Sequence, residues 1–450
     1  MGVQQVQKSL GAAFRNSSVV FFVLLAATLC IFVSPLLVLA PVVAAALLWA
    51  VFRYPTTALG AILAFIPLDF MAIALGKLFG LPHMTVVSVC TKEVPLLLLG
   101  ALLWRRNGFE AIAPDWLLLL SFIVACVRTA FSGSLVALWT DFNFIVPYFV
   151  GRMTVLSQER ERRWARWAVW TAAVLSILGL LEVFVFGQGP RTLLYLALDS
   201  GTEGGALTAS FGGEGFEGMR EAATMVGPNG FGVLCMIALI IWWVYCRNPL
   251  PACMVATGLI CSLTRSAWIG TAAAIPLLAV VMQQKKRFFL YATLALALFA
   301  ASIPILGLSD YLLLSRKGQD LSTEWHREGI VNGLKYDIDH PLGSGNAKLN
   351  PVVLNQDTTV TIFETTYPYF AAEYGIATGL CFVGFLFSAL YVVWRTRSPL
   401  GYVAVGILVG ISIVMIFSIP LNDRRLACWV FFPVGLAVRA RSGAVLETET

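Results

Sequence analysis

Almost the whole chain is a succession of apolar runs. Each is about as long as the roughly 20 residues that cross a bilayer as a helix, and most charges are confined to the segments between them. No other feature restricts the fold as much. Of the 450 residues 58% are hydrophobic and 12% charged, about half the charged fraction of an ordinary soluble domain. Water-facing domains of this length would need a larger charged surface. Candidate spans lie near 18–34, 35–52, 56–75, 85–104, 114–132, 134–151, 164–186, 227–246, 249–264, 266–283, 288–307, 366–394, 399–418 and 425–440. The pairs 18–34 with 35–52 and 249–264 with 266–283 leave little room for a turn, so 12–14 helices are expected. The fold class is all-α: a polytopic transmembrane helix bundle with a large, partly helical outer loop. The first span lacks a small-residue cleavage site and reads as an anchor.

Orientation follows from the positive-inside rule. With a cytoplasmic N-terminus, every inner connection is basic: Arg53, Arg105 and Arg106, Arg152, the cluster from Arg160 to Arg166, Arg247, Lys285 to Arg287, Arg395 and Arg397, and Arg439. Both termini are then cytoplasmic. Two long connections fall outside. The expected organisation is N-terminal helices over 1–186, a first outer loop over 187–226, central helices over 227–307, the large outer loop over 308–365, and C-terminal helices with a short tail over 366–450. Loops this long are uncommon unless functional. In the second, Leu321-Ser322-Thr323-Glu324 can start a helix, along which Ile330, Leu334 and Ile338 share one face. The nine cysteines all sit in or beside apolar runs, without disulfide or zinc spacing. They read as small packing residues. The net charge of +6 reflects topology and not nucleic-acid binding.

Gly213-Glu214-Gly215-Phe216-Glu217-Gly218 fits G-x-G-x-x-G. It lacks the preceding strand of a dinucleotide site and reads as a tightly turned loop. Four other pieces carry more chemistry. Arg220 precedes Pro228-Asn229, a favourable helix start. Thr264-Arg265 stands between two apolar runs, with Ser262 and Ser266 nearby. Arg265 reads either as an interfacial snorkelling side chain or as a fork-shaped cation for phosphate oxygens. Arg327 lies in the large loop, ahead of His340-Pro341-Leu342-Gly343-Ser344-Gly345. At the loop's exit, Glu364 stands nine residues before Glu373-Tyr374-Gly375.

In this order these pieces resemble the O-antigen ligase/polymerase family of bacterial envelope glycan assembly, over roughly residues 210–380. Arg220, Arg265 and Arg327 occupy the family's arginine positions. Thr264 stands where Ser is usual, and Glu364 where ligases carry histidine, a substitution familiar in polymerases. The resemblance implies glycosyl transfer between undecaprenyl-diphosphate-linked oligosaccharides, donor and acceptor, at the periplasmic face of the bacterial inner membrane, without a cofactor or metal. The bilayer is a partner, with a chain-length regulator or export proteins as further candidates, and nucleic acid is not one.

The residue chemistry agrees with this on its own terms. A departing lipid diphosphate gains negative charge, which guanidinium groups at Arg265 and Arg220 would stabilise, with Arg327 and Arg128 as candidate substrate-binding cations. Glu364 is the candidate base toward an acceptor hydroxyl; helix capping and a hydrogen bond to acceptor sugar are the other roles open to it. Tyr367 and Tyr369 are candidates for stacking on sugar rings, with core packing as the other reading. Lys92 with Glu93, or Arg128 with Asp141, read as interhelical pairs, and Glu373 as structural. The three histidines have no metal-ligand spacing. The leading expectation is a polysaccharide polymerase. The alternatives are an O-antigen or protein glycan ligase and, from another class, a transporter of a small anion or lipid, which would concentrate its polar groups at mid-membrane.

Overall fold

The computed structural model describes residues 49, 52–78, 84–132, 135–186, 225, 228–305, 321–344 and 365–449. The first candidate span, all of the second except Trp49 and Phe52, nearly all of the first outer loop, Arg220 and Glu364 lie outside them. The described chain is helical, without strands. Its helices are α1 (Pro55–Phe65), α2 (Asp69–Leu78), α3 (Met84–Asn107), α4 (Ala113–Ser132), α5 (Leu135–Asp141), α6 (Ile145–Met153), α7 (Gln158–Leu181), α8 (Pro228–Tyr245), α9 (Pro249–Cys261), α10 (Arg265–Val281), α11 (Lys285–Ile305), α12 (Leu321–Asp339), α13 (Thr366–Tyr374), α14 (Ile376–Thr396), α15 (Pro399–Phe417) and α16 (Arg424–Glu449). The expected helix start at Pro228-Asn229 is α8, and the helix expected from Leu321 is α12.

Among the described residues, four segments are long and apolar enough to cross a membrane: Ala113–Phe131, Gln158–Phe186, Ile376–Thr396 and Pro399–Phe417. The pair Pro55–Leu68 and Met71–Leu78, bent by 62°, makes a fifth if taken as one span. Two of the runs behind the expectation of 12–14 helices are divided in the fold. The run expected over 366–394 breaks at Gly375, and the run over 134–151 breaks into α5 and α6. Helix α10 has 17 residues, or about 26 Å at 1.5 Å per residue, a little less than the hydrocarbon thickness. Outward-facing apolar side chains such as Phe131, Phe387 and Leu296 are 80%, 69% and 68% exposed. Lipid accommodates such a surface, whereas water opposes it.

Small residues bring the helices together, as expected where lipid gives apolar side chains no reason to prefer each other. A Cβ on Gly151 of α6 would run into the carbonyl of Phe432, and one on Gly435 of α16 into that of Tyr148. On the α10–α15 crossing, a Cβ on Gly270 would lie 2.9 Å from the carbonyl oxygen of Gly410. Below α13, Phe142, Phe144, Phe370, Phe382, Phe385 and Phe431 form a continuous aromatic core, with Phe370 stacked on Phe382 at 4.7 Å.

Arg152, counted among the loop cations in the sequence, is buried. Its guanidinium binds Asp115 at 2.8 Å and the carbonyl of Glu110, while the Tyr148 hydroxyl donates to the same carboxylate. Nearby, Arg439 donates to the carbonyls of Asn107 and Arg152. These contacts lie at the basic ends of the helices, and the motif residues are at the opposite ends.

Candidate functional site

Arg265 is the first residue of α10 and is half-buried. The connection from α9 is only Ser262-Leu263-Thr264, closed by Leu263 at φ 52°. Its hydroxyls are engaged locally: Ser262 Oγ donates to Leu259 O at 2.7 Å, and Thr264 N donates to Ser262 Oγ at 3.3 Å. Ser262 and Thr264, two members of the polar set that suggested phosphate recognition, therefore help to build the turn. A cation at a helix N-terminus opposes the helix dipole.

This turn packs against the start of α8. A Cβ on Gly232 would lie 2.6 Å from Thr264 Cβ and 2.8 Å from Ser262 Oγ, so the absence of a side chain permits the approach. Two residues earlier, Gly230 faces Asp423. The Asp423 carboxylate accepts from Arg425 Nε at 2.7 Å and from the Arg425 amide at 2.9 Å. The Pro228-Asn229 helix start, the Arg265 turn and the α15–α16 connection thus meet at one end of the bundle. Asp423 and Arg425 were not singled out in the sequence. Their signal was available: Arg424-Arg425 is a basic pair in a short connection that the charge rule assigns to the outer side.

A second group forms where the large loop returns. Helix α12 ends at Asp339, and the turn His340-Pro341-Leu342-Gly343-Ser344 docks on the break between α13 and α14. Gly375 at φ 96° and Gly343 at φ 75° face each other. A Cβ on Gly343 would meet the amide of Gly375, and one on Gly375 would lie 3.1 Å from Leu342 O. Ile376 N donates to Pro341 O at 3.0 Å and Ser344 N to Ala372 O at 2.6 Å. Arg128 of α4 donates to the carbonyls of Gly343 and Ser344 at 2.7 and 3.0 Å, and Ser344 Oγ donates to Glu373 at 3.1 Å. His340 stacks on Tyr336 with ring centroids 4.2 Å apart. Burial, with the Glu373 carboxylate nearby, pushes the Tyr336 hydroxyl above its ordinary range. Burial alone raises Asp337 from 3.8 to about 7, and one of its carboxylate oxygens is buried without a hydrogen bond.

Beneath the turn, the fully buried Asp141 accepts from the hydroxyls of Tyr369 at 2.7 Å and Tyr374 at 2.6 Å. These bonds tie α5 to the middle and the last residue of α13. Thr365 and Thr366 donate to the carbonyls of Met415 and Ser418, fixing the start of α13 on α15.

The expected site residues therefore divide. Arg220 and Glu364 lie outside the described residues. Arg327 is exposed on α12. Arg128, expected to touch substrate, has one guanidinium nitrogen engaged with the docked turn. Tyr367 is half-buried and donates to Ser412 O. Tyr369 has no exposed surface, which gives its ring a packing role and not a sugar-stacking one in this conformation. Glu93 accepts from Trp139 Nε1 at 3.0 Å; the Lys92 side chain is outside the described set. Asp141, expected only as an intramembrane pair member, proves to be the centre of the α5–α13 contact. An apolar cavity of about 120 Å³ lies elsewhere, among Gly60, Trp164, Tyr245 and Trp429, and none of the motif residues lines it.

Residues 250–383 match the family described as O-antigen ligase. The match runs from α9 into α14 and includes Arg265, Arg327, the His340–Gly345 turn, Glu364 and Glu373. No curated protein sequence matches the chain. With its apolar helices and this family match, the chain is a multi-pass membrane protein in which residues 250–383 are similar to the O-antigen ligase family.

Proposed function

We propose that the chain is a polymerase joining undecaprenyl-diphosphate-linked oligosaccharide units at the outer face of the cytoplasmic membrane, with both termini inside. The observation that carries this reading is the O-antigen ligase match across Arg265, Arg327 and Glu364, with glutamate where ligases of the family carry histidine. In the reaction, an acceptor sugar hydroxyl attacks the anomeric carbon of the donor. The bond from that carbon to the diphosphate oxygen breaks, and its electron pair leaves with the lipid diphosphate. Glu364 takes the hydroxyl proton as the new glycosidic bond forms. Arg265 and Arg220 stabilise the charge gathering on the diphosphate, and Arg327 binds the same group from the loop. The half-buried position of Arg265 at a helix N-terminus supports this role, because reduced solvation strengthens its attraction for an anion.

The family's description favours a second reading, transfer of lipid-linked glycan to a separate acceptor by a ligase. The lipid-linked intermediates of a deletion strain separate the two. Single repeat units accumulating on the carrier, with no long glycan, are expected of a lost polymerase. Completed polymer accumulating on the carrier would indicate the ligase. Purified protein with a lipid-linked repeat unit should make polymer in EDTA. Activity lost in EDTA and restored by a divalent ion would overturn the metal-free mechanism. Arg265→Ala should abolish product while leaving protein in the membrane, and Glu364→Gln should reduce turnover more than donor binding.

A further inference from the structure

Helix α12 carries its apolar residues on the wrong side for a helix that only packs on its own protein. The face turned toward the bundle holds Gly329, Gly333 and Asp337, all buried. On the opposite side Val331, Leu334 and Ile338 are 45%, 54% and 75% exposed, and Leu342 in the following turn is 76% exposed. These recur at three- and four-residue spacing and so form one row, with exposed Arg327 on the same line one turn before Val331. The charged residues Glu328, Lys335 and Asp339 flank the row on one side and are exposed.

The row also continues a surface that faces lipid. Arg128 holds Gly343 and Ser344, so Leu342 lies beside the end of α4, where Val127 and Phe131 are 55% and 80% exposed. The bond from Ile376 N to Pro341 O joins the same turn to the start of α14, whose Leu380 is 66% exposed. Both helices meet the length and composition of membrane spans. The apolar row thus begins where two lipid-facing helix surfaces end.

We infer that α12 is an interfacial helix whose Val331–Leu334–Ile338–Leu342 row is immersed in the lipid leaflet around this end of the bundle. Its flanking charges lie at headgroup level, as in amphipathic helices that lie in the membrane plane. Arg327, at the far end of the row, then reaches the depth of lipid phosphates. The inference does not depend on which reaction the protein catalyses.

The test is a depth measurement in vesicles of phosphatidylethanolamine and phosphatidylglycerol. A ketone-bearing residue replaces Leu334, Ile338, Glu328 or Lys335 one at a time, and a nitroxide is attached through an oxime, which leaves the native cysteines in place. Relaxation by molecular oxygen should exceed relaxation by a water-soluble nickel chelate severalfold at 334 and 338, and the order should reverse at 328 and 335. Stronger relaxation by nickel at 334 and 338 would mean that the row faces water. Shielding from both reagents would mean that protein covers it, from this chain or a second copy. Either result overturns the proposal.

Discussion

At the scale of single residues, the most constrained positions are the two facing glycines and the buried charges. Gly375 has φ 96° and lies against Leu342 O and Pro341 O. A β-carbon there is strained by the backbone angle and also crowds the docked turn. Gly375→Ala should destabilise the protein by about 1–3 kcal/mol, read as a lower unfolding temperature in detergent. The Asp115–Arg152 pair is sealed from water at 2.8 Å, so removing one partner leaves the other charge buried. Asp115→Ala should cost about 3–5 kcal/mol, whereas a surface change such as Glu159→Ala should be nearly silent, because its pair with Arg163 is exposed. Unfolding temperatures measured side by side would decide. The arginine motif positions could be picked out in the sequence because they stand apart from the basic connections that set the orientation. Asp141 was legible only as an expensive charge, since nothing local connects it to Tyr369 and Tyr374, 228 and 233 residues away.

At the scale of elements, α12 and the α13–α14 break carry the main conclusions. The helix start at Leu321 was readable from local capping chemistry. Which face α12 would bury was not, because its inward row is two glycines and an aspartate. That aspartate should make α12 docking depend on pH. The Asp337 carboxyl ordinarily titrates at 3.8 and is held at about 7 in the folded protein, so the folded state binds its proton more tightly. The opposition to docking is absent below about pH 3.8, grows between the two values and is complete above about 7. Hydrogen exchange across 329–338 should accordingly quicken, relative to the rest of the protein, as pH rises from 5.5 to 8 once intrinsic exchange is corrected for. Asp337→Asn should flatten that dependence. An unchanged profile in the variant would assign the effect to another group. The break at Gly375 was invisible to hydropathy, which read one run over 366–394. Hydropathy averages over side chains, whereas the break is made by a backbone angle and by the carbonyl of Pro341 arriving from elsewhere.

At the scale of the whole molecule, the helix ends sort into two sets. Arg152, Arg287 and Arg439 bond to one another's neighbouring carbonyls or to helix ends at the basic side. The Arg265 turn, Asp423 and the docked loop are at the other. Reporter fusions test the assignment of sides. A fusion ending at Lys286 should be active only with a cytoplasmic reporter, and one ending at Lys317 only with a periplasmic reporter. The reverse pattern at both sites would invert the topology and move the proposed reaction to the wrong face.

The order of apolar runs and intervening charges was enough by itself to determine a helical membrane bundle and to single out the arginines proposed to handle a lipid diphosphate. Segment hydrophobicity and charge placement are local properties, and the bilayer acts on each segment separately. The tertiary structure decided what depends on contact between distant segments: the meeting of the α8, α10 and α16 starts, the seating of the His340–Ser344 turn on Gly375, and the outward apolar row of α12. Each rests on glycines that permit close approach or on buried hydrogen bonds between residues far apart in the chain. Their free energy exists only once both partners are in place.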